Sequence, residues 1–305
     1  MKEVIRRLYE FLVYIRICKP QIVVRIDGGI CSQMHQYLLG FTFKKKGFVV
    51  KYDLTWFNDY GMDMINKDVR NFDLLKAFPK LDFDRVSPFI LFLYRHFYNY
   101  QGHYPQSCDI DWINLVPPRL MSGYYADPEY LYSRLFQEVF KLDLSVLDEV
   151  DFSLYEEIDF SSSAAIHVRR GDIASKTIGR YGTPTPLNYF ANSIDYLTKE
   201  KGVRCLYFFS DDKKYLTEQL IPFLKLKENN TYENKYRIIQ NGADKGYVDM
   251  ILMSKCEHII TSKGSLGKYA ALLNLKKRRT VVVCSDDNQT FMLNLEQVEK
   301  VTIQP

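Results

Sequence analysis

Two adjacent arginines followed by a glycine, in His167-Val168-Arg169-Arg170-Gly171-Asp172, are the residues of this 305-residue chain best suited to hold an anion. They follow the apolar run Ala164-Ala165-Ile166, so they fall at the end of an expected strand. In α/β sheets, anionic ligands bind outside the carboxyl ends of the strands, where helix N-termini also converge. Paired guanidiniums suit a diphosphate because each makes bidentate, charge-assisted hydrogen bonds to phosphate oxygens. A plain surface arginine pair would carry the same residues. Phe209-Ser210-Asp211-Asp212 ends another apolar run. A carboxylate there can accept from N1–H and N2–H₂ of a guanine, or cap the helix that follows. Ser265, preceded by Gly264 at a helix start, can offer a backbone N–H and a hydroxyl to a phosphate oxygen. Gly264-x-x-Gly267-Lys268 is not a P-loop: its spacing is too short, and Tyr269 stands where Ser or Thr would bind magnesium.

The elements that must position these groups read as repeated β–α units. Gln21–Ile26 is an expected buried strand ended by Asp27-Gly28-Gly29, with helical spacing over Gln33–Phe43 and a second strand at Phe48–Leu54. Residues 56–120, broken by several prolines, carry no clear period. Leu142–Ser163 holds seven acidic residues and no basic ones, and reads as a linker or as an acidic helix face. The second half then alternates strand Ala164–Val168, a helix from Pro186 capped by Thr185 and closed by Gly202, strand Arg204–Phe209, helix Tyr215–Leu224, strand Tyr236–Gln240, helix Tyr247–Ser254, strand His258–Thr261, helix Leu266–Asn274 and strand Thr280–Cys284. Such alternation implies an α/β fold of two doubly wound, Rossmann-like halves with a cleft between them, divided as 1–160 and 161–305.

Composition narrows the partners. A net charge of +4 is too mild to argue for nucleic acid. Six scattered cysteines without a C-x-x-C give neither a zinc site nor a disulfide framework and fit a reducing, cytoplasmic setting. Met1–Ile17 mixes basic and apolar residues, but its uninterrupted apolar run is too short for a signal peptide or a membrane span. As a basic amphipathic helix it packs on the protein itself or touches an anionic membrane surface at the inner face. The aromatic cluster from Phe89 to Tyr100 reads as core, as a sugar platform or as a lipid-touching patch.

Four segments together resemble the inverting α-1,2-fucosyltransferases, glycosyltransferase family 11. His167–Asp172 looks like their H-x-R-R-x-D element, and Gly28-Gly29-Ile30-Cys31-Ser32-Gln33-Met34-His35-Gln36-Tyr37 is similar to their N-terminal G-G-L-G-N-Q-M-F-Q-Y turn. Phe209–Asp212 resembles their F-S-D-D strand end, and Asp249–Cys256 with the helix running to Asn274 resembles their D-L-x-L-M-S-x-C segment and the helix start after it. The chain departs from the pattern at Cys31, Ser32 and His35, and at Lys263, Gly264, Leu266, Gly267, Lys268 and Tyr269.

The resemblance implies a GT-B fold and a metal-independent, inverting transfer of L-fucose from GDP-β-L-fucose to a terminal galactoside hydroxyl, with no cofactor. The donor site then comprises His167, Arg169, Arg170, Asp211, Asp212, Gly264 and Ser265. Arg170 faces the leaving diphosphate, and Asp172 shapes the motif or acts in the chemistry. The acceptor, an oligosaccharide or glycolipid ending in galactose, falls to Gly28, Gly29, Gln33 and Gln36, with His35 or Asp27 as the base. The loop Ile173–Pro184 could serve as a lid. Two other readings stay open: a metal-dependent glycosyltransferase using Asp82-Phe83-Asp84 or Asp109-Ile110-Asp111, and a nucleotide-sugar-binding protein without turnover.

Overall fold

The computed structural model describes residues 2–59, 61, 69–101, 114–123, 134–158, 160–171, 183–225, 235–273, 279–287 and 290–304. The chain divides into two compact units; the main body of the second runs from Phe140, and Lys76–Phe78 also belongs to it. That division lies upstream of the 160/161 boundary read from the sequence. The acidic helix Glu149–Glu157, which opens on its N-cap Asp148, belongs to the second unit.

In the first unit, helix α1 (Lys2–Tyr14) precedes strand β1 (Gln21–Arg25), helix α2 (Ile30–Lys45) and strand β2 (Val49–Asp53). Strands β3 (Asn99–Gln101) and β4 (Arg119–Ser122) complete a four-stranded parallel sheet in the order β2-β1-β4-β3. Ile22, Val23 and Val24 of β1 are fully buried, as expected for a strand covered on both faces. Gly28 turns the chain with φ +70°, and α2 begins at Ile30, three residues before the helical period is evident. Helix and strand meet closely at Gly40, where a Cβ would stand 2.7 Å from the Tyr52 ring. Only glycine fits there.

The second unit holds six parallel strands: β5 (Ser163–Val168), β6 (Cys205–Ser210), β7 (Lys235–Ile238), β8 (His258–Thr261), β9 (Arg279–Cys284) and β10 (Val298–Ile303). Their order is β10-β9-β8-β5-β6-β7. Successive strands β5, β6 and β7 run outward in one direction, and the chain then returns to lay β8 on the other side of β5. That reversal is a topological switch point, and it opens a crevice at the carboxyl ends of β5 and β8. β5 is buried along its whole length. Leu206 and Phe208 of β6 pack with Ala164, Ile166 and Val168 of β5 and with Tyr189, Phe190 and Leu197 of the helix Leu187–Lys201. Gly202 ends that helix in the left-handed region, as expected. Its start differs: Pro186 is the N-cap, and the Thr185 hydroxyl instead accepts from the Lys263 N–H at 3.2 Å.

Candidate active site

Parallel register brings three loops to one edge of the second sheet. Val168 lies opposite Ser210, and His167 lies opposite Thr261. The Ser210 hydroxyl donates to the Val168 carbonyl at 2.7 Å, and the Arg169 N–H donates to the Ser262 hydroxyl at 2.8 Å. These bonds fix where the arginine pair leaves the sheet.

The two arginines are held differently. Arg169 Nη1 pairs with Asp211 Oδ2 at 3.1 Å, while Asp211 Oδ1 accepts the Arg170 N–H at 2.8 Å. The side chains of Arg169 and Asp211 are about a quarter exposed, so solvent screens their pairing in part and its value lies in positioning. Gly171 makes the approach of Asp211 sterically feasible, because a Cβ there would stand 2.7 Å from Asp211 Oδ2. The Arg170 guanidinium instead lies 4.0 Å over the Tyr215 ring, and its Nε is buried with no hydrogen-bond partner among the described residues. No carboxylate pairs with Arg170 among those residues. Burial raises the Tyr215 phenol above its ordinary range, so at neutral pH the ring is a neutral platform for the cation.

Asp212 is a cap: its Oδ1 accepts the Tyr215 N–H at 2.9 Å at the start of the turn Lys213–Tyr215. Asp211 ties the arginine motif through both of its carboxylate oxygens. Asp172 itself, most of the lid candidate Ile173–Pro184, Asp109, Ile110 and Asp111 lie outside the described residues.

His167 is a neutral core imidazole. Burial pushes it down to about 4, against the pull of Asp211 and with the help of Arg169 and Lys268. Its Nδ1 sits 3.4 Å from the Ser262 hydroxyl, and Gly267 packs so tightly on it that a Cβ would come within 3.1 Å of the His167 Cβ. Gly264 adopts φ +113° beside Arg169, and Ser265 follows it at the start of the helix Leu266–Leu273.

In the first unit three expectations are corrected. Gln33 is fully buried; its Nε2 donates to the carbonyls of Gly28 and Asn71, and its Oε1 accepts from the N–H groups of Asp73 and Leu74. Gln36, also fully buried, binds Asp27 through both ends of its amide and donates to the Gly123 carbonyl. The Gln33 amide is spent on backbone and the Gln36 amide on backbone and the Asp27 carboxylate, so neither offers an edge to a sugar. His35 is fully buried within α2, out of reach of an acceptor hydroxyl. Asp27 remains partly exposed beside Gly28 and Gly29. Burial raises its carboxyl above the usual range, opposed by the Gln36 hydrogen bond and by Arg25. Asp82 and Asp84 form ion pairs with Lys44 and Lys51 respectively.

The sequence model of glycosyl transferase family 11 matches residues 95–302, more than half of the chain. The chain belongs to that family. Two relatives from Escherichia coli span most of this family 11 member. The O-antigen biosynthesis glycosyltransferase WbnK is 22% identical over 291 residues, covering 84% of this chain and 91% of its own. An alpha-1,2-colitosyltransferase is 25% identical over 279 residues, covering 83% and 87%. Among solved structures, the fucosyltransferase NodZ from Bradyrhizobium is similar at TM-score 0.45 and 12% identity, covering 84% of this chain and 94% of its own.

This glycosyltransferase also buries charged side chains, among them Lys213, which the sequence did not single out. Lys213 has a buried Nζ with no hydrogen-bond partner among the described residues, and burial lowers its pKa against the fields of Asp249 and Asp211. Asp249, from the resembling D-x-x-L-M-S segment, is 8% exposed and accepts from Asn241 Nδ2 at 2.8 Å; burial pushes it up to about 6. The residues that depart from the family pattern have local partners. Lys263 Nζ binds Asp286 at 2.6 Å, and the fully buried Lys268 Nζ binds Asp287 at 2.5 Å. The consecutive aspartates after β9 were the available sequence signal.

Proposed function

We propose that the chain transfers L-fucose from GDP-β-L-fucose to the 2-hydroxyl of a terminal galactoside, with inversion and without a metal. The observation that carries this reading is Arg170: a guanidinium at the switch-point edge, stacked on Tyr215 and paired with no carboxylate among the described residues. In the transfer, the acceptor oxygen forms a bond to the anomeric carbon as the bond to the β-phosphate breaks, so GDP departs with the electron pair. Arg170 stabilises that developing charge, which is the work otherwise assigned to a divalent ion. Arg169 and Asp211 hold the strand end from which Arg170 projects, and Gly264 and Ser265 offer backbone N–H groups to the diphosphate. The first unit carries the acceptor, with Asp27 taking the hydroxyl proton. A carboxylate with a raised pKa is a stronger base for that step.

The alpha-1,2 linkage in the name of the 25% identical relative supports the linkage. Colitose is fucose without its 3-hydroxyl, so the donor is the finer question. The test is GDP release from GDP-fucose and from GDP-colitose over a panel of galactosides, in excess EDTA, with linkage analysis of the product. An α-1,2-fucosylated galactoside formed in EDTA is the expected result. Preference for GDP-colitose would replace the donor, loss of turnover in EDTA would point to a metal-dependent enzyme, and GDP binding without release on any acceptor would end the enzyme reading.

A further inference from the structure

Helix α1 has two apolar faces, and the fold uses one. Tyr9 is buried with its hydroxyl 2.7 Å from that of Tyr94, and Ile5 and Val13 pack with Leu91, Leu93 and Tyr94 of the helix Pro88–Phe97. On the adjoining face Val4, Leu8, Phe11 and Ile15 recur at helical spacing with 69%, 55%, 56% and 40% of their surface exposed. Ile15 stays in phase because its N–H still donates to the Phe11 carbonyl. Ile17 continues the apolar surface, and Phe89 and Phe92 of the neighbouring helix are exposed as well, with Lys2 Nζ 5.9 Å from the centre of the Phe92 ring. So many large apolar groups in contact with water cost free energy unless something covers them.

Charge identifies the cover. Lys2, Arg6, Arg7, Arg16 and Lys19 face only Glu3 and Glu10 in this segment; both acids pair with Arg6, and Glu3 also meets Arg7 at 4.0 Å, so the segment stays net positive. A second copy meeting this face across a two-fold axis would set these basic residues against their own counterparts. A bilayer with anionic headgroups instead accepts the apolar stripe at the acyl boundary while lysine and arginine reach the phosphates. We infer that the α1 face, with Phe89 and Phe92, docks this enzyme on an anionic lipid surface. No helix of the described residues is long and apolar enough to cross a membrane, so the contact is interfacial. Docking of this kind brings the enzyme to an acceptor carried on lipid, but it does not depend on which sugar is transferred.

The test is flotation of the whole chain with vesicles of phosphatidylcholine, with and without phosphatidylglycerol, alongside sedimentation of the protein alone. The expected result is binding that requires phosphatidylglycerol and weakens with salt. Phe11→Asp and Leu8→Asp should each reduce it more than about tenfold. Arg7→Gln should reduce it about fivefold, one basic side chain's share. These residues are exposed, so unfolding temperature and turnover of a water-soluble acceptor should stay unchanged. Protein left unbound by anionic vesicles, or equal binding to neutral ones, would overturn the inference. A dimer in sedimentation that Leu8→Asp dissociates would assign the face to a second copy.

Discussion

Replacing Arg170 and Arg169 one at a time separates chemistry from scaffolding. Arg170→Ala removes a guanidinium stacked 4.0 Å over Tyr215, a contact worth roughly 0.5–1 kcal/mol when partly exposed. For a unit of this size such a loss lowers the unfolding temperature by at most about 4 °C. If the same group carries the leaving diphosphate, kcat should fall on the order of 10²–10³, as when one preorganised donor to a developing anion is deleted. The disproportion between a small stability effect and a large kinetic one is the signature sought. Arg170→Lys keeps the charge but loses the planar fork and the stacking, so it should recover only part of the rate. Arg169→Ala breaks the 3.1 Å pair with Asp211 but leaves the Arg170 N–H bonded to that carboxylate. Its cost should be under about 1 kcal/mol in stability, with a kcat loss smaller than that of Arg170→Ala. The assays are GDP release at saturating donor, GDP titration calorimetry and thermal unfolding of all three variants. An Arg170→Ala enzyme that turns over normally, beside an Arg169→Ala enzyme that does not, would refute the division of labour drawn from the geometry.

Three further outcomes are expected. Lys268→Met removes the ammonium that meets the Asp287 carboxylate, 4% exposed, and should cost about 3–5 kcal/mol in denaturant unfolding. Adding Asp287→Leu should return most of it, and a double variant as unstable as the single one would contradict the pairing. Gln33→Ala leaves two buried N–H groups and two carbonyls without their side-chain partner. At about 1–3 kcal/mol per stranded group, it should unfold the first unit well below the wild-type temperature; a sugar-contact role would raise KM with no loss of stability. The pH dependence has two opposing parts. Asp249 is held up at about 6, so its native state binds more protons than the unfolded chain, and its contribution to stability grows as pH falls from about 6 toward the ordinary carboxylate range. His167 and His258 are both held down at about 4, so their contributions are lost as pH falls from the ordinary histidine range toward 4. Asp249→Asn should therefore steepen the acid loss of stability below pH 6, and an unchanged slope would show that Asp249 keeps an ordinary pKa.

What was legible in the sequence is what local chemistry dictates. The end of β5 at Val168, the cap at Asp212 and the left-handed Gly202 follow from residue type and neighbour, and the structure has them where the pattern put them. β3 and β4 were not legible because they are short and fall in or against the proline-broken stretch 56–120, where no period stands out. β10 carries Glu299 and Lys300 in succession, which breaks the alternation and masks an edge strand as solvent-facing chain.

The misassigned site residues share one physical cause. Gln33 and Gln36 lie beside a glycine turn, and an amide there has the same chemistry whether it points out to a sugar or in to the backbone. The decision rests on where α2 begins. Because the helix starts at Ile30, its first two turns carry Gln33 and Gln36 inward, onto carbonyls and N–H groups of segments distant in sequence. Lys268 shows the same dependence: its partner Asp287 arrives from beyond β9. The tie that Asp211 makes follows this logic too. Parallel register sets Val168 against Ser210, so the residue after Ser210 lies beside Arg169 and Arg170 although it is some forty positions away. Polar residues in this fold are thus identified by type from the sequence, but their roles are set by register. A functional reading of the H-x-R-R-x-D element therefore has to treat the strand next to it as part of the motif.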